Sequence, residues 1–105
     1  MTREEMNMVG FEIVAYSGDA RSTLLQAMKE ARGGNFANVD TLLSDADENI
    51  NEAHRSQTAI LTAEASGDNM DMGFIFVHGQ DHLMTTILLR DIIGDMIELY
   101  RRNAQ

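Results

Sequence analysis

The chain has 105 residues, 44% hydrophobic and 24% charged, with a formal net charge of −9, which fits one globular domain spanning 1–105 and not a disordered or divided chain. It has no cysteine, so a disulfide framework, a thiolate nucleophile and a cysteine-ligated zinc are excluded, and covalent chemistry falls to His, Ser, Thr, Lys or a carboxylate. Seventeen acids against eight unclustered bases oppose nucleic acid and anionic membranes, no apolar run reaches the roughly 20 residues of a membrane span, and a cytoplasmic protein without membrane insertion is expected.

The absence of proline permits long helices. Thr2-Arg-Glu-Glu5 has the form of a capping box, which opens a first helix, so the acidic N-terminus is expected to be helical and not a signal peptide. A stripe at helical spacing follows: Met6, Val9, Ile13, Tyr16, Ala20, Leu24, Ala27 and Ala31. Gly33-Gly34-Asn35 breaks it, glycine suiting a left-handed C-terminal position and Asn35 suiting the cap of the next helix. Gly10, Gly18 and Gly94 each cost about 1 kcal/mol inside a helix, which points to close helix contacts.

The second stripe is Phe36, Val39, Leu43, Ala46, Ile50, Ala53, Gln57 and Ile60, ending near Ser66-Gly67. The third segment, from about Gly73 to Arg102, is the most apolar. At 100° per residue, Phe74, Val77, Asp81, Leu88, Ile92 and Leu99 fall within about 40° of one line. Ile75, Leu89, Ile93, Ile97 and Tyr100 widen that arc, and only a strip with Gln80, Asp91, Asp95 and Glu98 stays polar. The eight methionines read as adaptable packing.

Three such helices joined by short turns predict an all-α, up-down-up antiparallel three-helix bundle. A monomeric bundle buries one stripe per helix, so the surplus apolar surface of the third helix calls for another copy of the chain, a homo-oligomer built through the third helices.

Within that apolar helix lies VHGQDHLMTTILL, Val77 to Leu89. His78 and His82 are one turn apart and stack on one face, at the edge of the stripe that carries Asp81. Three readings compete. A solvated, incidental cluster is the bland one, and an unpaired carboxylate among Val77, Leu88 and Ile92 argues against it. A transition-metal site using His78, His82 and Asp81 is the second; HxxxH is half of a helical zinc site, but the other ligands must come from elsewhere. The third is phosphoryl transfer through His78, a neutral imidazole being a nucleophile that needs neither cysteine nor metal, with His82 holding a phosphoryl oxygen and Gly79 keeping the nearby backbone clear for a docking protein. On residues alone the second and third readings stand level. His54 and Gln57, near the second stripe, read most plainly as a satisfied core or interface polar pair, with support of the His78 pocket as the alternative.

HGQDHLMTT (His78–Thr86), GFEIVAYSGDARS (Gly10–Ser22) and NEAHRSQT (Asn51–Thr58) resemble the lactose/cellobiose family of enzyme IIA components of the bacterial sugar phosphotransferase system, with the first helix closer to the lactose branch than to the chitobiose branch. The resemblance spans essentially the whole chain, while the loop 67–73 and Phe74–Val77 look more individual. It implies a homotrimer of three-helix bundles packed through parallel third helices. It implies that His78 accepts a phosphoryl group from the histidine-containing phosphocarrier protein and passes it to a cysteine of the IIB component, with His82 assisting. It places three Asp81 carboxylates at a three-fold axis around a single magnesium ion. Such carboxylates would repel in a low dielectric unless a divalent cation or shared protons intervened, and an all-oxygen site suits magnesium better than zinc. Gln80 belongs to the same motif and is expected to reach the pocket, if at all, from an adjacent subunit. The rival readings are a metal-binding helical bundle and a non-catalytic oligomerisation module. The sugar, lactose against cellobiose or chitobiose, is chosen by the membrane component.

Overall fold

The computed structural model describes residues 1–104. Three long helices, α1 (Arg3–Arg32), α2 (Val39–Ala65) and α3 (Phe74–Asn103), account for nearly all of them, with one 3-10 turn at Phe36–Asn38. The all-α expectation holds, and the rod measures 55 × 20 × 18 Å. None of the described helices is long and apolar enough to cross a membrane.

The capping box forms as read. Thr2 Oγ1 accepts from the Glu5 N–H at 3.1 Å, and the Thr2 N–H donates to Glu5 Oε1 at 2.9 Å. Glutamate's pKa is lowered there, first by the backbone hydrogen bond from Thr2 and then by its hydroxyl. At the other end of α1 Gly34 takes the left-handed conformation, φ 80°, while Gly33 stays right-handed. Asn35 does not cap the next helix. Its amide donates to Glu30 at 2.8 Å, and the 3-10 turn leads the chain into α2 instead.

Helix α1 lies against both other helices along its length, whereas α2 and α3 approach each other at few points. Polar side-chain pairs bridge those two helices: Gln57 to Gln80, Asp47 to Arg90 and Asp40 to Arg101. Two apolar clusters stack along the rod. Met6, Ile13, Ala53, Ile60, Phe76 and Leu83 form one, and Ala20, Leu24, Ala27, Val39, Ala46, Ile50, Ile93 and Ile97 lie in the other.

The α1 stripe differs from the sequence reading at two places. Gly10 and Ser17 take the fully buried positions, and Val9 and Tyr16 sit half-buried beside them. The reason is the proximity of α3. A Cβ on Gly10 would lie 2.9 Å from the Phe76 Cα, and one on Gly79 would lie 2.9 Å from the Gly10 carbonyl oxygen. Only small residues tolerate that approach. Thr86 Oγ1 reaches the Ser17 carbonyl at 3.5 Å with the same separation of 69 positions, so α1 and α3 run parallel and in register. Gly79 therefore serves helix packing and leaves no clear surface for a docking protein. Neither Gly18 nor Gly94 meets another helix: a Cβ on the first would touch nothing within 4 Å, and on the second only the side chain of Arg90 on α3 itself, at 3.1 Å.

The loop before α3 is tied to the chain start. The Met1 ammonium donates to Asp68 Oδ1 at 3.1 Å and to the Asn69 carbonyl at 2.6 Å, and Arg3 holds Asp71 Oδ1 at 2.8 Å. Gly73 then precedes α3 in an extended conformation without a side-chain cap. These ties fix where the histidine-bearing helix begins.

Candidate functional site

The tight α1–α3 contact leaves three directions free on the first half of α3, and each carries a different set of residues. On one flank His78 and His82 converge. Their Nε2 atoms are 3.1 Å apart, with the rings nearly perpendicular at 84°. One turn of helix brings the pair together, and the contact needs one donor and one acceptor. His78 is exposed and His82 half-buried. The Nδ1 of His82 is out of solvent and has no partner. The Phe74 ring lies parallel to that of His78 at 6.5 Å, a turn earlier.

Beside the imidazoles is an open hollow of about 180 Å³, lined by Arg21, His78, Asp81, His82 and Thr85. Arg21 comes from α1 and the other four from α3. Thr85 spends its hydroxyl on its own helix, donating to the Asp81 carbonyl at 2.7 Å. Arg21 and Thr85 are the residues that reading by sequence missed. The signal for Arg21 was its place one turn beyond Ser17, which becomes informative only once the register of α1 against α3 is known.

The outward direction holds the apolar line. Phe74 is 83% exposed, Leu88 and Leu99 58%, Val77 and Ile92 47%. Asp81 is exposed among them. The sequence reading that this line is surplus to the chain's own core is correct.

The opposite flank carries Gln80, and there Gln57 Nε2 donates to Gln80 Oε1 at 2.8 Å. Gln57 and Gln80 share a groove with Ile60, Leu61, Met70 and Phe76, not with the imidazoles. Within one chain neither glutamine reaches His78. His54 is exposed and pairs with no side chain among the described residues, so it forms no polar pair with Gln57. It follows Ala53 directly, and one residue turns it about 100° off the buried stripe. Among the described residues no group of three His, Asp or Glu side chains is placed to hold a metal ion; His78, His82 and Asp81 line one hollow without converging on a point. A zinc centre within a single chain lacks its remaining ligands.

Comparison with known proteins adds a family. Residues 8–101 match the family described as PTS system, lactose/cellobiose specific IIA subunit. The chain is 57% identical over 105 residues to the lactose-specific EIIA component of the PTS system of Lactococcus lactis subsp. lactis, covering 100% of both. It is 50% identical over 104 residues to that of Streptococcus mutans serotype c, covering 99% of this chain and 100% of the relative. Among solved structures, PtcA from S. mutans superposes with a TM-score of 0.93 at 40% identity, over 96% of this chain and 99% of that one. The chitobiose IIA protein of the Escherichia coli phosphotransferase system, solved in complex with HPr, gives a TM-score of 0.75 at 32% identity, over 95% of this chain and 97% of that one.

Proposed function

This chain belongs to the lactose/cellobiose-specific IIA subunits of the phosphotransferase system, phosphocarriers of sugar uptake, and we propose that it carries the phosphoryl group on His78 Nε2, taking it from the phosphocarrier HPr and giving it to a cysteine of a IIB component. The observation that carries this reading is the His78–His82 contact at 3.1 Å on an exposed flank.

The chemistry follows from that contact. With His82 as donor, the His78 Nε2 presents a lone pair, and its proton sits on Nδ1. That lone pair attacks phosphorus of the donor phosphohistidine in line, the new N–P bond forms as the old one breaks, and the donor imidazole leaves with the bonding pair. Such transfer depends on positioning and charge placement, since the phosphoryl group brings its own reactivity. As Nε2 becomes bonded to phosphorus, the His82 N–H moves its hydrogen bond to a phosphoryl oxygen, a charge-assisted contact stronger than the one it leaves. Onward transfer to a thiolate reverses these motions. Chemically the protein is a transferase component with a phosphohistidine intermediate, and its likeness to lactose-specific EIIA components at 57% and 50% identity supports lactose as the sugar served.

The apolar line supports a homotrimer through α3. Burying such a side chain from full exposure contributes about 1.5–3 kcal/mol, so those about half exposed here contribute roughly half of that, and the set from Phe74 to Leu99 runs the length of the helix. Three parallel α3 helices around an axis bring the His78 flank of one copy against the Gln80 flank of the next, which is how Gln80, with Gln57 behind it, joins the pocket; His54, exposed on α2, remains a more distant candidate. The same arrangement gathers three Asp81 carboxylates. Asp81 is outward-facing, exposed and without a hydrogen bond or ion pair to its side chain among the described residues, so its oxygens are free to hold a magnesium ion shared by the trimer. Bound there, the ion would offset two of the three negative charges.

The test is phosphorylation by phosphoenolpyruvate, enzyme I and HPr, read by intact mass. An acid-labile phosphate adduct is expected in the wild type and none in His78→Gln, whose fold and assembly stay intact. A wild type that takes no phosphate, or an adduct that survives in His78→Gln, refutes the assignment.

A further inference from the structure

The imidazole pair can donate one N–H to a phosphoryl group that carries about two negative charges on three oxygens, and the chain around it has a net charge of −9. A cation is needed at the hollow, and one is present. We infer that Arg21, from α1, is the phosphoryl clamp of the His78 site, its guanidinium fork binding the oxygens that His82 leaves free; this rests on the carrier function proposed above.

Several observations converge on it. Among the described residues Arg21 is the only arginine or lysine that lines the hollow shared by His78, His82, Asp81 and Thr85. It makes no ion pair among the described residues, whereas Arg3, Arg55, Arg90, Arg101 and Arg102 each hold a carboxylate. Asp81 lines the same hollow, so the absence of a pair between them leaves the fork available. Its position is set by the rigid part of the fold. Arg21 follows Ser17 by one turn, and the Ser17 carbonyl is held by Thr86. Side chains on a helix lean toward its N-terminus, and α1 and α3 are parallel, so Arg21 lies back along α3 past Thr85 toward the imidazoles. It also borders a second hollow, with Thr85, Thr86 and Leu89, which gives the long side chain a place to withdraw when the phosphoryl group leaves. A volume of about 180 Å³ is roughly that of six waters, ample for the group. A guanidinium is permanently charged and matches phosphate oxygens two at a time, where an ammonium is a single point charge.

Arg21 is exposed, so its replacement should leave the fold intact. The experiment mixes the full chain with phosphorylated HPr, quenches at intervals and follows the phosphohistidine by intact mass, with sedimentation and phosphorus NMR on the same samples. Arg21→Gln is expected to slow uptake by about 10²-fold, the scale of losing one charge-stabilising donor, to shift the phosphohistidine resonance, and to leave assembly and thermal midpoint unchanged. Arg21→Lys should recover part of the rate. Arg32→Gln, the same charge change at an exposed, unpaired residue at the far end of α1, should match the wild type. A wild-type rate in Arg21→Gln or in Arg21→Lys overturns the clamp while the carrier function stands. A change in assembly with normal uptake assigns Arg21 to subunit packing and overturns it equally. No phosphorylation of the wild type removes the carrier function, and the clamp with it.

Discussion

Two faces of one helix contrast here. The face of α3 toward α1 is closed within the chain: Phe76, Gly79, Leu83, Thr86, Ile93 and Ile97 are buried, and backbone meets backbone at Gly10 and Gly79. The face pointing away carries residues of similar greasiness, yet Phe74, Val77, Leu88, Ile92 and Leu99 remain in solvent. Composition does not separate the two faces. Residue size does. Glycine and threonine let α1 come close on one side, and the large aliphatic side chains on the other have no facing helix in the chain. The imidazoles sit on the border, held rigidly by the first face and completed, on our reading, by what covers the second.

The most drastic way to break this contrast is to place a charge on the open face. Leu88→Asp would put a carboxylate from every copy near the axis of the proposed trimer, where each uncompensated buried charge costs several kcal/mol. Sedimentation should find a monomer that is still helical by circular dichroism. A Leu88→Asp trimer would mean that copies associate through some other surface.

The closed face is tested next by Gly79→Ala. The added methyl meets the Gly10 carbonyl oxygen at 2.9 Å, and backbone atoms cannot step aside as a side-chain tip can. Overpacking of this kind costs about 1–3 kcal/mol, and denaturant unfolding of the wild type and variant at equal protein concentration measures it. Gly18→Ala is the control, since a Cβ there touches nothing within 4 Å, and it should gain up to about 1 kcal/mol through helix propensity. Equal behaviour of the two variants would show that the close approach carries no energetic weight.

A smaller effect, of opposite sign, is expected at Asp81. On our reading the Asp81 carboxylates gather at the axis of the proposed trimer, and replacing each with leucine removes their mutual repulsion. Asp81→Leu should therefore sediment as a trimer and, in the presence of a chelator, unfold at or above the wild-type midpoint. A monomeric Asp81→Leu protein would show that the acid, with whatever it binds, is what holds the copies together.

Much of this was legible from the residues because helical periodicity is a local property. The three helices, the capping box and the α2 stripe through Val39, Ala46, Ile50, Ala53 and Ile60 follow from spacing alone, and so does the outward line of α3. Gly79 was misread and Arg21 unread for a common reason: each acquires its meaning from the register between α1 and α3, and that register is a fact about two segments far apart in the chain. Gln80 and Gln57 illustrate the same limit at one further remove. Their mutual bond is visible in one chain, while any meeting with His78 belongs to a pair of chains.

The smallest predicted effect concerns the start of α1, where the closed face begins. Glu5 accepts from the Thr2 N–H, and that bond lowers its pKa from the usual 4.5. A carboxylate depressed in the folded state contributes stability that is fully present above its unfolded pKa and is lost as pH falls through the folded value. Acid should therefore loosen the first turn of α1, and with it the Arg3–Asp71 contact that ties down the loop leading to Phe74, before the rest of the molecule responds. Followed by NMR, the Thr2 amide proton should titrate with a midpoint below 4.5, and Glu5→Gln should abolish that step because glutamine caps without titrating. A midpoint at or above the ordinary value would mean that the carboxylate gains nothing from the cap.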